Sequence, residues 1–145
     1  MPDILHRFTI DAPPERVHDL IATKEGVERW WTGHPSDGDE ATLQVFFGGE
    51  NPAAIFEIAE DTPERIVWRV VDGPSDWVGT TITFAFERRP DDGTTLLFTH
   101  ADWREANEFM GGCSTNWGAY LTSLKSGAES GEFAAYPAGE MSRWS

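Results

Sequence analysis

EANEFMGGCSTNWGAYLTSLKSGAESG, residues 105–131, is the stretch that decides the fold. Its apolar residues recur by threes and fours: Met110, Cys113, Trp117, Tyr120, Leu121, Leu124 and Ala128. That spacing draws a single stripe along a helix, and such a stripe needs a surface to bury itself against. A continuous helix here would be about 40 Å long at about 1.5 Å per residue. Gly111-Gly112 weakens the first turns, so the regular part is expected from Cys113 onward, and Gly131 supplies the stop. Residues 132–145 lack periodicity and read as a tail that includes Trp144.

The surface for that helix lies upstream, where the period is two. Ile4, His6, Phe8 and Ile10 alternate with Leu5, Arg7 and Thr9 in a first strand. Further strands are expected over Thr42–Phe47, Ala54–Ala59, Ile66–Val71, Thr80–Glu87 and Thr94–Ala101, separated by Gly, Pro, Asn and Asp. Asp92-Gly93, between the last two runs, is a strong hairpin signal, and Gly48-Gly49 reads as another turn. Two short helices precede the second strand. Asp11 is the expected cap of the first, with Pro13 and Pro14 in its opening turn, and Thr23 is the expected cap of the second, which ends at Trp30-Trp31. The order is strand, two short helices, five strands, one long helix. This predicts an α+β fold: a curved six-stranded antiparallel sheet grips the long C-terminal helix, in one domain over residues 1–131.

Composition narrows the function. The chain has 145 residues, 39 % hydrophobic and 12 % aromatic, with seven Trp, enough for one well-filled core. A formal net charge of −14, with Lys24 and Lys125 the only lysines, argues against nucleic acid and anionic membranes as partners. No run approaches the roughly 18 apolar residues of a membrane span, and no signal peptide is evident, so a cytoplasmic protein is expected. Cys113 is the only cysteine and reads as a small core residue. No histidine pair has metal-ligand spacing, and no phosphate or dinucleotide loop is present, so neither metal nor cofactor is expected.

Several motifs follow one another along the chain. They are Phe8-Thr9-Ile10-Asp11-Ala12-Pro13-Pro14-Glu15-Arg16-Val17, the Trp30-Trp31 pair, and Pro63-Glu64-Arg65-Ile66-Val67-Trp68. Thr94-Thr95-Leu96-Leu97-Phe98-Thr99-His100 and Asn116-Trp117-Gly118-Ala119-Tyr120-Leu121 follow. The set resembles the START-like superfamily (SRPBCC, or Bet v 1-like), whose architecture is the helix grip. The most similar branch is named after the activator of a heat-shock chaperone ATPase. The sequence departs from that pattern at Ala101-Asp102-Trp103, where a small residue and a glycine are usual.

The resemblance implies a cavity between sheet and long helix, and the abundance of large rings is consistent with one. The residues expected to line it are Trp30, Trp31, Phe56, Trp68, Phe84, Phe86, Phe98, His100, Met110, Cys113, Asn116, Trp117 and Tyr120. A small, largely hydrophobic ligand is the expected partner, oriented by His100, Asn116 and Tyr120. Two further readings stand beside it. His100 and Asp102, two apart on one strand face, could form the acid–base pair of a cyclase or hydrolase. Alternatively, the acidic surface or the tail could dock a chaperone or another protein. His34 is placed in a loop near the cavity mouth, Glu57 is expected to face solvent, and a homodimer is compatible with the superfamily.

Overall fold

The computed structural model describes residues 1–31, 42–45 and 53–133. Its elements are β1 (Ile4–Ile10), α1 (Pro14–Ala22), α2 (Lys24–Trp30), β2 (Thr42–Val45), β3 (Ala54–Thr62), β4 (Arg65–Asp72), β5 (Thr81–Arg88), β6 (Thr94–Ala101) and α3 (Glu108–Ser130). The six strands form one antiparallel sheet in the order β1-β6-β5-β4-β3-β2. The last strand therefore lies beside the first, and the intervening ones form a meander. The β5–β6 hairpin closes where Asp92-Gly93 predicts, with Asp92 at φ 68° and its amide donating to the Arg89 carbonyl at 3.0 Å. Alternation holds along the sheet: Leu96, Phe98 and His100 are buried on the concave face, while Leu97 is exposed on the other. β3 runs longer than its apolar pattern because polar residues 60–62 continue the pairing, past a register shift between Ile58 and Glu60. Glu57 faces outward and pairs with Arg69 at 3.3 Å.

The helix ends differ from expectation in two places. Asp11 does not cap α1. It stands too far ahead of Pro14, and Pro13 takes the N-cap position with no side-chain bond. Pro13 and Pro14 lack amide hydrogens, so there is less at this end for a cap to satisfy. Asp11 instead donates its amide to Glu129 Oε2 at 2.9 Å, tying the start of the chain to α3. Secondly, Gly111-Gly112 does not delay α3, which is regular for 23 residues, about 35 Å. The side-chain oxygen of Asn107 accepts from the Met110 amide at 2.9 Å, and this cap holds the first turn ahead of the glycines. Thr23 caps α2 as expected, accepting from the Gly26 amide at 3.0 Å.

α3 lies across the concave face and also closes the free edge of β1. Lys125 Nζ donates to the Thr9 carbonyl at 2.6 Å, and His6 Nε2 is 3.1 Å from the Ser114 carbonyl. An open strand edge would otherwise present unpaired backbone groups. Gly131, at φ 79°, ends α3 in the left-handed region that side chains disfavour. The chain then folds back so that the Phe133 ring sits on Gly127, where any side chain would overlap it. Phe133, two residues past Gly131, thus packs on α3. Phe46 and Phe47, His34, the Gly48-Gly49 turn and the tail from 134, with Trp144, lie outside the described residues.

Candidate functional site

The rings expected to line a cavity are packed against one another. Trp31 lies at the centre, with ring centroids 5.6 Å from Phe56, 5.9 Å from Trp68 and 4.8 Å from Trp117. Phe98 contacts Trp117 at 4.6 Å, and Trp68 meets Phe84 edge-on at 4.9 Å. Trp30 stacks on Trp31 and donates its indole N–H to the Leu20 carbonyl at 2.7 Å. Phe86, Cys113, Asn116 and Tyr120 are buried as well, and Met110 is half-buried against the same cluster. The positions read as a lining thus lie together, mostly buried, between the sheet and α3. Burial pushes the Cys113 thiol up to about 12, so it is neither a thiolate nor a ready nucleophile at neutral pH.

His100 is fully buried and held by a directional chain of hydrogen bonds. The Trp117 indole N–H donates to His100 Nδ1 at 3.2 Å, which leaves the ring hydrogen on Nε2. Nε2 is 2.7 Å from Thr80 Oγ1, and that hydroxyl donates onward to the Trp77 carbonyl at 2.5 Å. A neutral imidazole satisfies every link of this chain, and burial drives its pKa down to about 3. Asp102 is no partner to it. β6 ends at Ala101, Asp102 turns to φ 73°, its side chain is exposed, and its amide donates to Asp3 Oδ1 at 3.1 Å. The acid–base pair read from the His100–Asp102 spacing is therefore not formed, because the strand terminates between them. Trp103 reaches back instead and packs on His100 at 4.9 Å.

Sequence reading missed Trp77. Its ring, carried by a turn-rich segment between β4 and β5, is fully buried against His100 and Trp117. The signal was a large ring in an otherwise polar loop. It also missed the partner of His18, whose Nε2 lies 2.8 Å from Asp61 Oδ1 across 43 positions of sequence.

Open space lies to one side of the core. A pocket of about 430 Å³ opens where the α1–α2 junction faces β2, β3 and β4. Ile21, Val27, Leu43, Ile58, Ile66 and Trp68 make its apolar wall, and Thr23, Lys24, Glu25, Thr42 and Asp61 its polar rim. Trp68 is the member of the expected lining that this pocket shares. Thr23, which ends α1 and caps α2, lies on the rim of this opening. Among the described residues, no group of three or more His, Cys, Asp and Glu side chains is arranged to hold a metal ion. No helix in the described residues is long and apolar enough to cross a membrane.

The geometry has clear relatives. A dimeric Aha1 from Colwellia psychrerythraea, solved in solution, is 32% identical, superposes with a TM-score of 0.79, and is matched over 90% of this chain and 98% of its own. Protein SSP2350 from Staphylococcus saprophyticus (21% identity, TM-score 0.68, 92% and 96% coverage) shares the fold. So does CalU16 from Micromonospora echinospora (20% identity, TM-score 0.69, 86% and 72% coverage). No curated protein matches the sequence. The fold is that of a START-like, ligand-binding type of domain. The family model for activator of Hsp90 ATPase homolog 1-like proteins matches residues 11–129, most of the helix-grip unit described above, and the chain belongs to that family.

Proposed function

We propose that this protein binds a small, largely apolar molecule without transforming it, in the pocket between α1–α2 and β2–β4. The observation that carries this reading is the pocket itself, an apolar wall bordered by polar side chains, beside a cluster of mutually packed rings. The aromatic interior leaves no acid–base pair at His100, whereas the side pocket combines an apolar wall with a narrow polar rim. Its volume, about 430 Å³, falls within the range of small-molecule sites. Burying apolar ligand surface there contributes about 25 cal/mol per Å², and the rim at Thr42 and Asp61 fixes orientation.

The test is a thermal-shift and native mass spectrometry screen against fatty acids, sterols and aromatic polyketides. A bound species whose affinity is lost in Ile58→Trp, which fills the half-buried side of the pocket, is the expected result. Absence of any hit across the panel, or a hit indifferent to Ile58→Trp, would overturn the assignment. We further propose that two copies of this chain associate, a reading supported by the dimeric state of the 32% identical Colwellia protein. The folded unit is proposed to run through Phe133, and the protein to act in the cytoplasm.

A further inference from the structure

We infer that the molecule held beside α1–α2 is a cationic amphiphile, an apolar body ending in an amine, an inference that rests on the pocket proposed above. The pocket wall supplies the first half of that description, since Ile21, Val27, Leu43, Ile58, Ile66 and Trp68 present hydrocarbon and ring surface to a ligand. Asp61 supplies the second half. It stands at the rim of this pocket and also lines a second hollow, a groove of about 310 Å³ whose wall includes Glu15, His18 and Asp19. A ligand that lies in the pocket with one end at Asp61 therefore brings that end to the acidic groove.

The charges around Asp61 select the sign of the head group. Its side chain is 46% exposed, and Oδ1 lies 2.8 Å from His18 Nε2. A carboxylate has a second oxygen and about four acceptor sites in all, so one imidazole does not saturate it. Asp19 adds a carboxylate on the groove side, while Glu15 is taken up by Arg88. On the pocket side Glu25 stands with Lys24, which already has a partner of its own. Carboxylates thus outnumber basic side chains in the lining of both hollows. The whole chain carries a net charge of −14, so its field draws in an ammonium and repels a carboxylate. An ammonium donates hydrogen bonds and accepts none, which suits carboxylate oxygens; a carboxylate or phosphate head would meet them oxygen to oxygen.

The experiment is isothermal titration calorimetry of the full chain at neutral pH and low salt with three probes of equal chain length: decylammonium, decanol and decanoate, each below its micelle concentration. Wild type is compared with Asp61→Asn, Ile58→Trp and the control Glu87→Gln, which removes the same unit of charge from an exposed position on the outward face of β5. Urea midpoints verify that each variant is folded. Decylammonium is expected to bind about tenfold or more tighter than decanoate, with decanol between them, and added salt narrows the spread. Asp61→Asn shrinks the advantage of the amine over the alcohol several-fold, Glu87→Gln leaves that advantage unchanged, and Ile58→Trp weakens all three probes. An amine that binds no tighter than the carboxylate, or an advantage indifferent to Asp61→Asn, would overturn the head-group assignment and leave the pocket standing. Binding that ignores Ile58→Trp would overturn the pocket reading itself. Failure of all three probes to bind would overturn the head-group assignment and, together with an empty ligand panel, the pocket as well.

Discussion

The buried imidazole makes a quantitative prediction about pH. In the fold, His100 is neutral, with its pKa near 3, because burial disfavours the cation and because Trp117 already donates to Nδ1. In the unfolded chain it takes up a proton near pH 6.5. The unfolded state therefore binds more protons as pH falls, and stability falls with it. The contribution is intact above the unfolded value and is progressively lost between about 6.5 and 3. At about pH 5 the unfolded chain gains about 2 kcal/mol from this one group, and at about pH 7 almost nothing. His6, also pushed down by burial, acts in the same direction. Glu15, Glu60 and Glu129 are held below the usual carboxylate range by Arg88, Arg65, and the Asp11 amide with Lys125, so their stabilisation is lost only under more acid conditions.

The comparison of wild type with His100→Phe removes these shared contributions. Urea unfolding followed by Trp fluorescence, at about pH 7 and about pH 5, gives four free energies. At the higher pH the variant is less stable by about 1–3 kcal/mol, since the Trp117 N–H loses its acceptor. Between the two pH values wild type loses about 2 kcal/mol more than the variant, so the gap between them closes or reverses. Parallel pH profiles would refute the reasoning, because they would mean that His100 is already solvated or charged in the fold. His100→Gln provides the same test if the larger ring is not accommodated.

Three further outcomes are expected. Trp31→Ala, which empties the centre of the stacked rings, costs about 3–5 kcal/mol in urea unfolding, more than any single change at the pocket rim. Asn107→Ala removes the cap of α3 and costs about 1 kcal/mol, seen as a lower unfolding midpoint and faster amide exchange in the first turn. Cys113 resists maleimide in the folded protein at mildly alkaline pH and reacts at once in urea; equal rates in both conditions would contradict its burial.

Much of this architecture was legible in the sequence because it is periodic. The alternation Leu96, Phe98, His100 and the three-and-four spacing from Cys113 to Ala128 follow from backbone geometry alone, so sheet faces and the buried stripe of α3 could be read in advance. Thr23, Gly131 and Asp92-Gly93 were equally readable, since each satisfies a local backbone demand. Composition likewise determined that the chain is rich in rings. Tertiary structure alone decided whether those rings surround a space or occupy it. Trp31 could be assigned to the inner side, but its contacts with Phe56, Trp68 and Trp117 come from three other segments, β3, β4 and α3. The state of His100 was undecidable for the same reason: its donor, Trp117, and its acceptor, Thr80, arrive from α3 and from the turn before β5. Asp102 shows the reverse, since strand parity puts it beside His100 only while the strand lasts. Local rules fix which way a side chain points, whereas filling, pairing and charge depend on what the rest of the chain brings to meet it.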